Sequence, residues 1–276
     1  DKNDVIIQKV TANKKQPGFY FKDWNYPLLA PGQYIIEAEI FRKNNKKETL
    51  QKTFKIMNFE WQNTEVGMER KVPTPFKPLK ISGNEVHALL TGYRANGIFF
   101  DAVYAQNENI LAAPIQLFFN GRTFKTESEN WQEKSVDRVV RISKHSSDGL
   151  TLEVRQEYEF DGMCKTVLNF KPAKNQKVKS LYIDIPLKDN IAKLFHHTGF
   201  GIRSNPSEWI KQGKGSVWSL PWQMLRYPSY LWFGETYKGI SFFSDMTPPM
   251  FDNKNGFVSH EILRKNNQVI MRIHLA

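Results

Sequence analysis

Thr151-Leu152-Glu153-Val154-Arg155-Gln156-Glu157-Tyr158-Glu159-Phe160 runs through Asp161-Gly162 into Met163-Cys164-Lys165-Thr166-Val167-Leu168-Asn169-Phe170. A period of two puts Leu152, Val154, Tyr158 and Phe160 on one face of an extended strand. Glu153, Glu157 and Glu159 share the other face, where Arg155 balances their charge, the pattern of a solvated surface. Asp-Gly between two such runs predicts a β-hairpin. A three-residue loop with Gly162 at the left-handed bulge position pairs Tyr158 with Cys164, Val154 with Leu168 and Leu152 with Phe170. A two-residue turn would set Glu153 against Phe170 instead. A one-residue slip moves every side chain to the opposite face, so burial selects the bulged hairpin.

The same period recurs outward in both directions. Gly32 to Phe41 places Tyr34, Ile36, Ala38 and Ile40 on one face, and Leu50, Phe54 and Ile56 follow a polar turn. With Val5 to Val10 as an earlier strand, residues 1–57 read as a small immunoglobulin-like β unit, short for a full sandwich of about 100 residues. Val72 to Leu79 carries three prolines in eight residues. Proline donates nothing to a ladder, so this stretch is an extended linker or an edge. The boundary is placed near residue 58, and residues 58–276 read as a large antiparallel β-sandwich. Val136 to Ile142, Ser180 to Leu187, Val258 to Leu263 and Val269 to Leu275 are further strands there. Asn205-Pro206-Ser207-Glu208 has the form of a helix cap, predicting a turn or two of helix through Gln212.

Composition narrows the function. The chain has 276 residues, with 39 Lys and Arg against 28 acidic residues, a formal charge of +11. The lysines are spread over hairpin tips such as Asn44-Asn45-Lys46-Lys47 and Lys265-Asn266-Asn267, where they discourage edge-to-edge pairing. No basic helix or arm is present, so nucleic acid is not an expected partner, while an acidic glycan stays open. The single cysteine, Cys164, excludes an intramolecular disulfide and a cysteine-based metal site. No apolar run reaches the roughly 18 residues of a membrane span. No nucleophile elbow, phosphate loop, dinucleotide fingerprint or His-Glu-x-x-His motif occurs, and no cofactor or metal is expected.

The densest local signal is aromatic. Trp209, Trp218, Trp222, Tyr230 and Trp232 crowd one segment together with Tyr227 and Phe233. Aromatic faces stack on the apolar faces of pyranose rings, so these five are candidate carbohydrate-binding residues; the same residues also read as the filling of a sandwich core. His196-His197 is the only histidine pair. Neighbours on a strand point to opposite faces, so a shared metal is disfavoured. Acid–base work with Glu208 or Asp184 as partner is the alternative to a structural role.

Several segments resemble, in order, the N-terminal domain of family 123 glycoside hydrolases of the Bacteroides type. They are Val72 to Ile81 with Gly83-Asn84; Leu111 to Leu117 closing at Asn120-Gly121; Tyr158 to Met163; Leu181 to Leu187; and Tyr230 to Gly234 with Lys238-Gly239-Ile240. Together they span about residues 59 to 250. The resemblance implies a large sandwich, of the galactose mutarotase-like supersandwich type, set before a catalytic barrel. It implies cleavage of β-linked N-acetylgalactosamine assisted by the substrate's acetamido group, with an adjacent Asp-Glu pair on the barrel. This sequence has no Asp-Glu dipeptide and no alternating strand–helix pattern. No catalytic residue carries over, and the barrel is expected to lie outside this chain. The implied role is non-catalytic support of that barrel, the implied partners are a glycan or the barrel itself, and the implied location is periplasmic, cell-surface or secreted. A free-standing carbohydrate-binding module and a mutarotase-like enzyme using His196 or His197 are the alternatives.

Overall fold

The computed structural model describes residues 6–11, 13–16, 19–21, 28–41, 46–62, 64–65, 67, 69–175, 177–197, 207–221, 230–244, 258–265 and 267–275. Two compact units divide the chain, Asp1–Glu69 and Arg70–Ala276, a division later in the chain than the change of texture near residue 58. All paired strands are antiparallel, and no helix occurs among the described residues.

Among its described residues the first unit holds two antiparallel strand pairs. Strands β1 (Asn13–Gln16) and β2 (Phe19–Phe21) form one, and β3 (Gly32–Phe41) and β4 (Lys47–Ile56) the other. The strand expected at Val5 to Val10 is absent from its described part, Ile6 to Val10. Ile6, Ile7 and Val10 are exposed there, and alternation without a partner strand leaves the backbone groups to water. In the long hairpin Tyr34 opposes Phe54, their rings stacked at 5.6 Å, and Ala38 opposes Leu50.

Among the described residues the second unit contains four sheets. Strands β5 (Lys80–Ser82), β6 (Glu85–His87), β7 (Thr91–Asn96), β8 (Phe99–Ala105) and β9 (Glu108–Asn109) follow one another as a meander. After β10 (Gln116–Phe119), the strands β11 (Lys125–Lys134), β12 (Arg138–Ser147), β13 (Leu150–Glu159) and β14 (Cys164–Pro172) make a second meander. The remaining strands are β15 (Leu181–Lys188), β16 (Leu194–His197), β17 (Ser207–Trp209), β18 (Gly215–Pro221), β19 (Tyr230–Gly234), β20 (Gly239–Phe243), β21 (Val258–Lys265) and β22 (Gln268–His274). They complete a five-stranded sheet in the order β10-β15-β22-β21-β18 and a four-stranded sheet in the order β17-β16-β19-β20.

The predicted hairpin register is present. Tyr158 opposes Cys164, Val154 opposes Leu168 and Leu152 opposes Phe170. Glu159 N donates to Met163 O (2.9 Å), Gly162 N donates to Glu159 O (3.0 Å), and Gly162 has φ +94°. That dihedral needs a residue without Cβ. Val72 to Leu79 lies outside the strands, as its prolines require. The helix expected after Asn205-Pro206 is not formed: Ser207–Trp209 is strand β17, paired with β16, while Asn205 and Pro206 lie outside the described residues. A helix of one or two turns leaves most of its backbone groups without partners, whereas the β16 ladder supplies them.

One hydrophobic cluster draws on all four sheets of this unit. Leu152, Val154 and Tyr158 meet Phe100 and Val103 there, together with Leu181, Ile183, Ile185 and Leu187 from the face predicted for β15. A polar row crosses it. Arg141 is fully buried; its Nη1 donates to Gln156 Oε1 (2.7 Å), and its Nη2 donates to Gly97 O (3.0 Å) and Glu129 Oε2 (2.5 Å). His145, buried opposite Leu152, is held down to a pKa of about 4 by burial and then by the Arg141 charge.

Candidate functional site

The aromatic segment falls mainly on the sheet β17-β16-β19-β20. Directly paired residues of an antiparallel ladder share a face. On the inner face Phe195 opposes Phe233 and His197 opposes Leu231, and Phe195, Phe233 and Leu231 are buried in the core. On the outer face Leu194 opposes Trp209 and Gly234, while His196 opposes Ser207 and Trp232. Tyr230 opposes Phe243 on this same outer side. Three of the five candidate residues, Trp209, Tyr230 and Trp232, therefore share one surface.

Its geometry follows from small neighbours. Trp232 lies across Gly239: a Cβ there would stand 2.7 Å from the indole Nε1, so glycine lets the ring settle onto the strand. Tyr230 meets the His196 ring edge-on at 5.7 Å, and His196 Nδ1 lies 3.2 Å from Ser207 Oγ. Trp209, on the edge strand, is 72% exposed, and Phe243 is 52% exposed. The surface thus offers a free indole at its edge and half-buried rings behind it.

Trp218 is elsewhere. It stands on β18, in the other sheet, with its ring 4.7 Å from Phe195 and 5.3 Å from His197, packed against the core. Trp222 lies outside the described residues. The two histidines point to opposite faces, as strand alternation requires. Glu208 opposes Phe195 and so lies on the face away from His196 and on the same side of the sheet as His197. Asp184 accepts two bonds from Arg272, Nε to Oδ1 (2.7 Å) and Nη2 to Oδ2 (2.8 Å). Neither carboxylate is placed as the acid–base partner of His196. Among the described residues no group of three or more His, Cys, Asp or Glu is arranged to hold a metal ion.

Residues 95–246 match the family model described as glycoside hydrolase 123, third domain. The chain belongs to this glycoside hydrolase 123 family. No curated protein matches it. The matched span of this family 123 chain begins in β7 and ends past β20, and it takes in the whole aromatic surface. The description names a third domain, whereas the resemblance in the sequence pointed to an N-terminal one.

A second cluster of the family 123 chain escaped the sequence reading. Glu85 and His87 are two apart on β6 and so share a face, and Tyr104 reaches them from β8. Tyr104 Oη donates to Glu85 Oε1 (3.0 Å), and His87 Nε2 lies 3.0 Å from Glu85 Oε2. The bonds from His87 and then Tyr104 hold the Glu85 carboxyl below its ordinary range. The Glu-x-His spacing was the available signal; Tyr104, nineteen residues from Glu85, gave none.

Proposed function

We propose that the unit from Arg70 onward is a non-catalytic, sugar-engaging β-sandwich of a family 123 glycoside hydrolase, working beside a catalytic barrel that lies outside this chain. Its ligand is a glycan containing β-linked N-acetylgalactosamine, and its location is periplasmic, cell-surface or secreted. The observation that carries the reading is the outer face of β17-β16-β19-β20, which Trp209, Trp232 and Tyr230 share and where Trp209 is 72% exposed. An indole 72% exposed at an edge buries little surface for the fold, but it can stack on the C–H face of a pyranose, with His196 and Ser207 on the same face to meet ring hydroxyls. No helix among the described residues is long and apolar enough to cross a membrane.

The test is titration of the chain with N-acetylgalactosaminide oligosaccharides, alongside a hydrolysis assay. Binding without turnover is expected, weakened at least tenfold (about 1.4 kcal/mol) by Trp209→Ala. Turnover by this chain alone would overturn the non-catalytic part, and binding indifferent to Trp209→Ala would overturn the aromatic surface.

A further inference from the structure

A cavity of about 380 Å³ opens at one end of the meander β5–β9, within the roughly 300–1,000 Å³ typical of small-molecule sites. Three separate connections build it: the proline-rich entry at Lys77 and Pro78, the β6–β7 loop at Leu89 and Leu90, and the β8–β9 turn at Asn107. The loops are set by the backbone. Ala88 N donates to Thr91 O and Gln106 N to Leu90 O, both at 2.8 Å, and Gln106 and Asn107 take positive φ.

The wall is a pair of rings, His87 and Tyr104, with centroids 5.3 Å apart. Glu85 braces both from behind, and its charge is answered by Arg94, whose Nη1 lies 3.9 Å from Oε1. Gly92 completes the brace, because any Cβ there would overlap the His87 ring. At the mouth stand the exposed ammonium groups of Lys77 and Lys80, neither in an ion pair among the described residues, and the exposed side chains of Leu89 and Leu90. A braced aromatic wall with apolar rim suits a pyranose face; two exposed cations, beside a Glu85 carboxylate already engaged by His87, Tyr104 and Arg94, suit an anion.

We infer that this cavity is a binding subsite for an anionic saccharide unit, a pyranose bearing a sulfate or a carboxylate. It is separate from the outer aromatic surface. The shared chemistry is an anionic oxygen cluster held by Lys77 and Lys80 while the ring lies against His87 and Tyr104.

The experiment titrates the full chain with 6-sulfated N-acetylgalactosamine, glucuronic acid, neutral N-acetylgalactosamine and inorganic sulfate. At least one anionic sugar is expected to bind ten times more tightly than both the neutral sugar and inorganic sulfate, and the better of the two identifies the anion. The Lys77→Ala/Lys80→Ala double variant, altering exposed side chains only, is expected to weaken that binding at least tenfold, and Trp209→Ala to leave it within twofold. Raising the salt concentration should weaken it as well. Absence of binding by either anionic sugar, equal binding of inorganic sulfate, or full affinity in the double variant would overturn the inference. So would loss of this binding in Trp209→Ala, which would place it on the aromatic surface. Failure of neutral N-acetylgalactosaminides to bind there would leave this subsite untouched.

Discussion

Hairpins β3–β4 and β13–β14 are near twins in sequence: long alternating strands, antiparallel registers without slips, and tyrosine on the apolar face. Their surroundings differ. Along β13, Leu150, Leu152, Val154, Gln156 and Tyr158 are all buried, and Tyr93 and Phe100 of the first meander stand 5.8 and 6.1 Å from Tyr158. Along β3 and β4, Ile36 and Leu50 remain exposed and Lys52 opposes Ile36. Alternation thus sets which residues share a face, and a second layer sets what that face contributes.

The widest separation between the twins is expected from one substitution made in each. Leu152→Ala, at a fully buried site, should destabilise the Arg70–Ala276 unit by about 4 kcal/mol in denaturant melts. A loss below about 1 kcal/mol would mean that the layer over β13 relaxes freely and the contrast is weaker than the burial suggests.

Acid should act on the buried side next. His145, paired with Leu152, keeps a native pKa of about 4 against about 6.5 when unfolded. Between those values the unfolded chain binds the extra proton, so stability falls as pH drops from about 6.5 to about 4, by roughly 3 kcal/mol in all. His260, pushed down to about 3 by burial and then by His274 and His197, extends the same trend lower. Melts across this range should show a shallower slope in His145→Gln; an unchanged slope would remove His145 as the cause.

The bulge sharpens the comparison at the turn. Gly162→Ala must adopt φ +94° and bring its Cβ within 2.9 Å of Thr91 Cβ, a loss of about 2 kcal/mol. The smallest effect belongs to the exposed twin: Leu50→Ala, 53% exposed, should change the stability of its unit by less than about 0.5 kcal/mol. A loss as large as that of Leu152→Ala would show that this face is covered in solution.

Legibility followed the range of the interactions. Tyr158 opposite Cys164 and the buried face of β15 were readable because both depend on period and turn chemistry within a few residues. Ser207 to Trp209 was misread because a cap-like Asn-Pro-Ser-Glu says nothing about a neighbouring β16 offering a ladder. Within the aromatic segment, density marked Trp209, Trp218, Tyr230 and Trp232 alike. The fold then separates them, since β18 enters a different sheet and turns Trp218 onto Phe195.

By itself, the sequence determined the all-β class, the register of the β13–β14 hairpin and the opposite facing of His196 and His197, because those follow from a two-residue period and from the backbone freedom of glycine. Only the tertiary structure decided that the alternating face of β3–β4 stays exposed where that of β13 is buried, that Trp209, Tyr230 and Trp232 share a surface without Trp218, and that Lys77, His87 and Tyr104 line one cavity. Those outcomes rest on contacts between strands distant in the chain, and such contacts leave no periodic trace in the residues that make them.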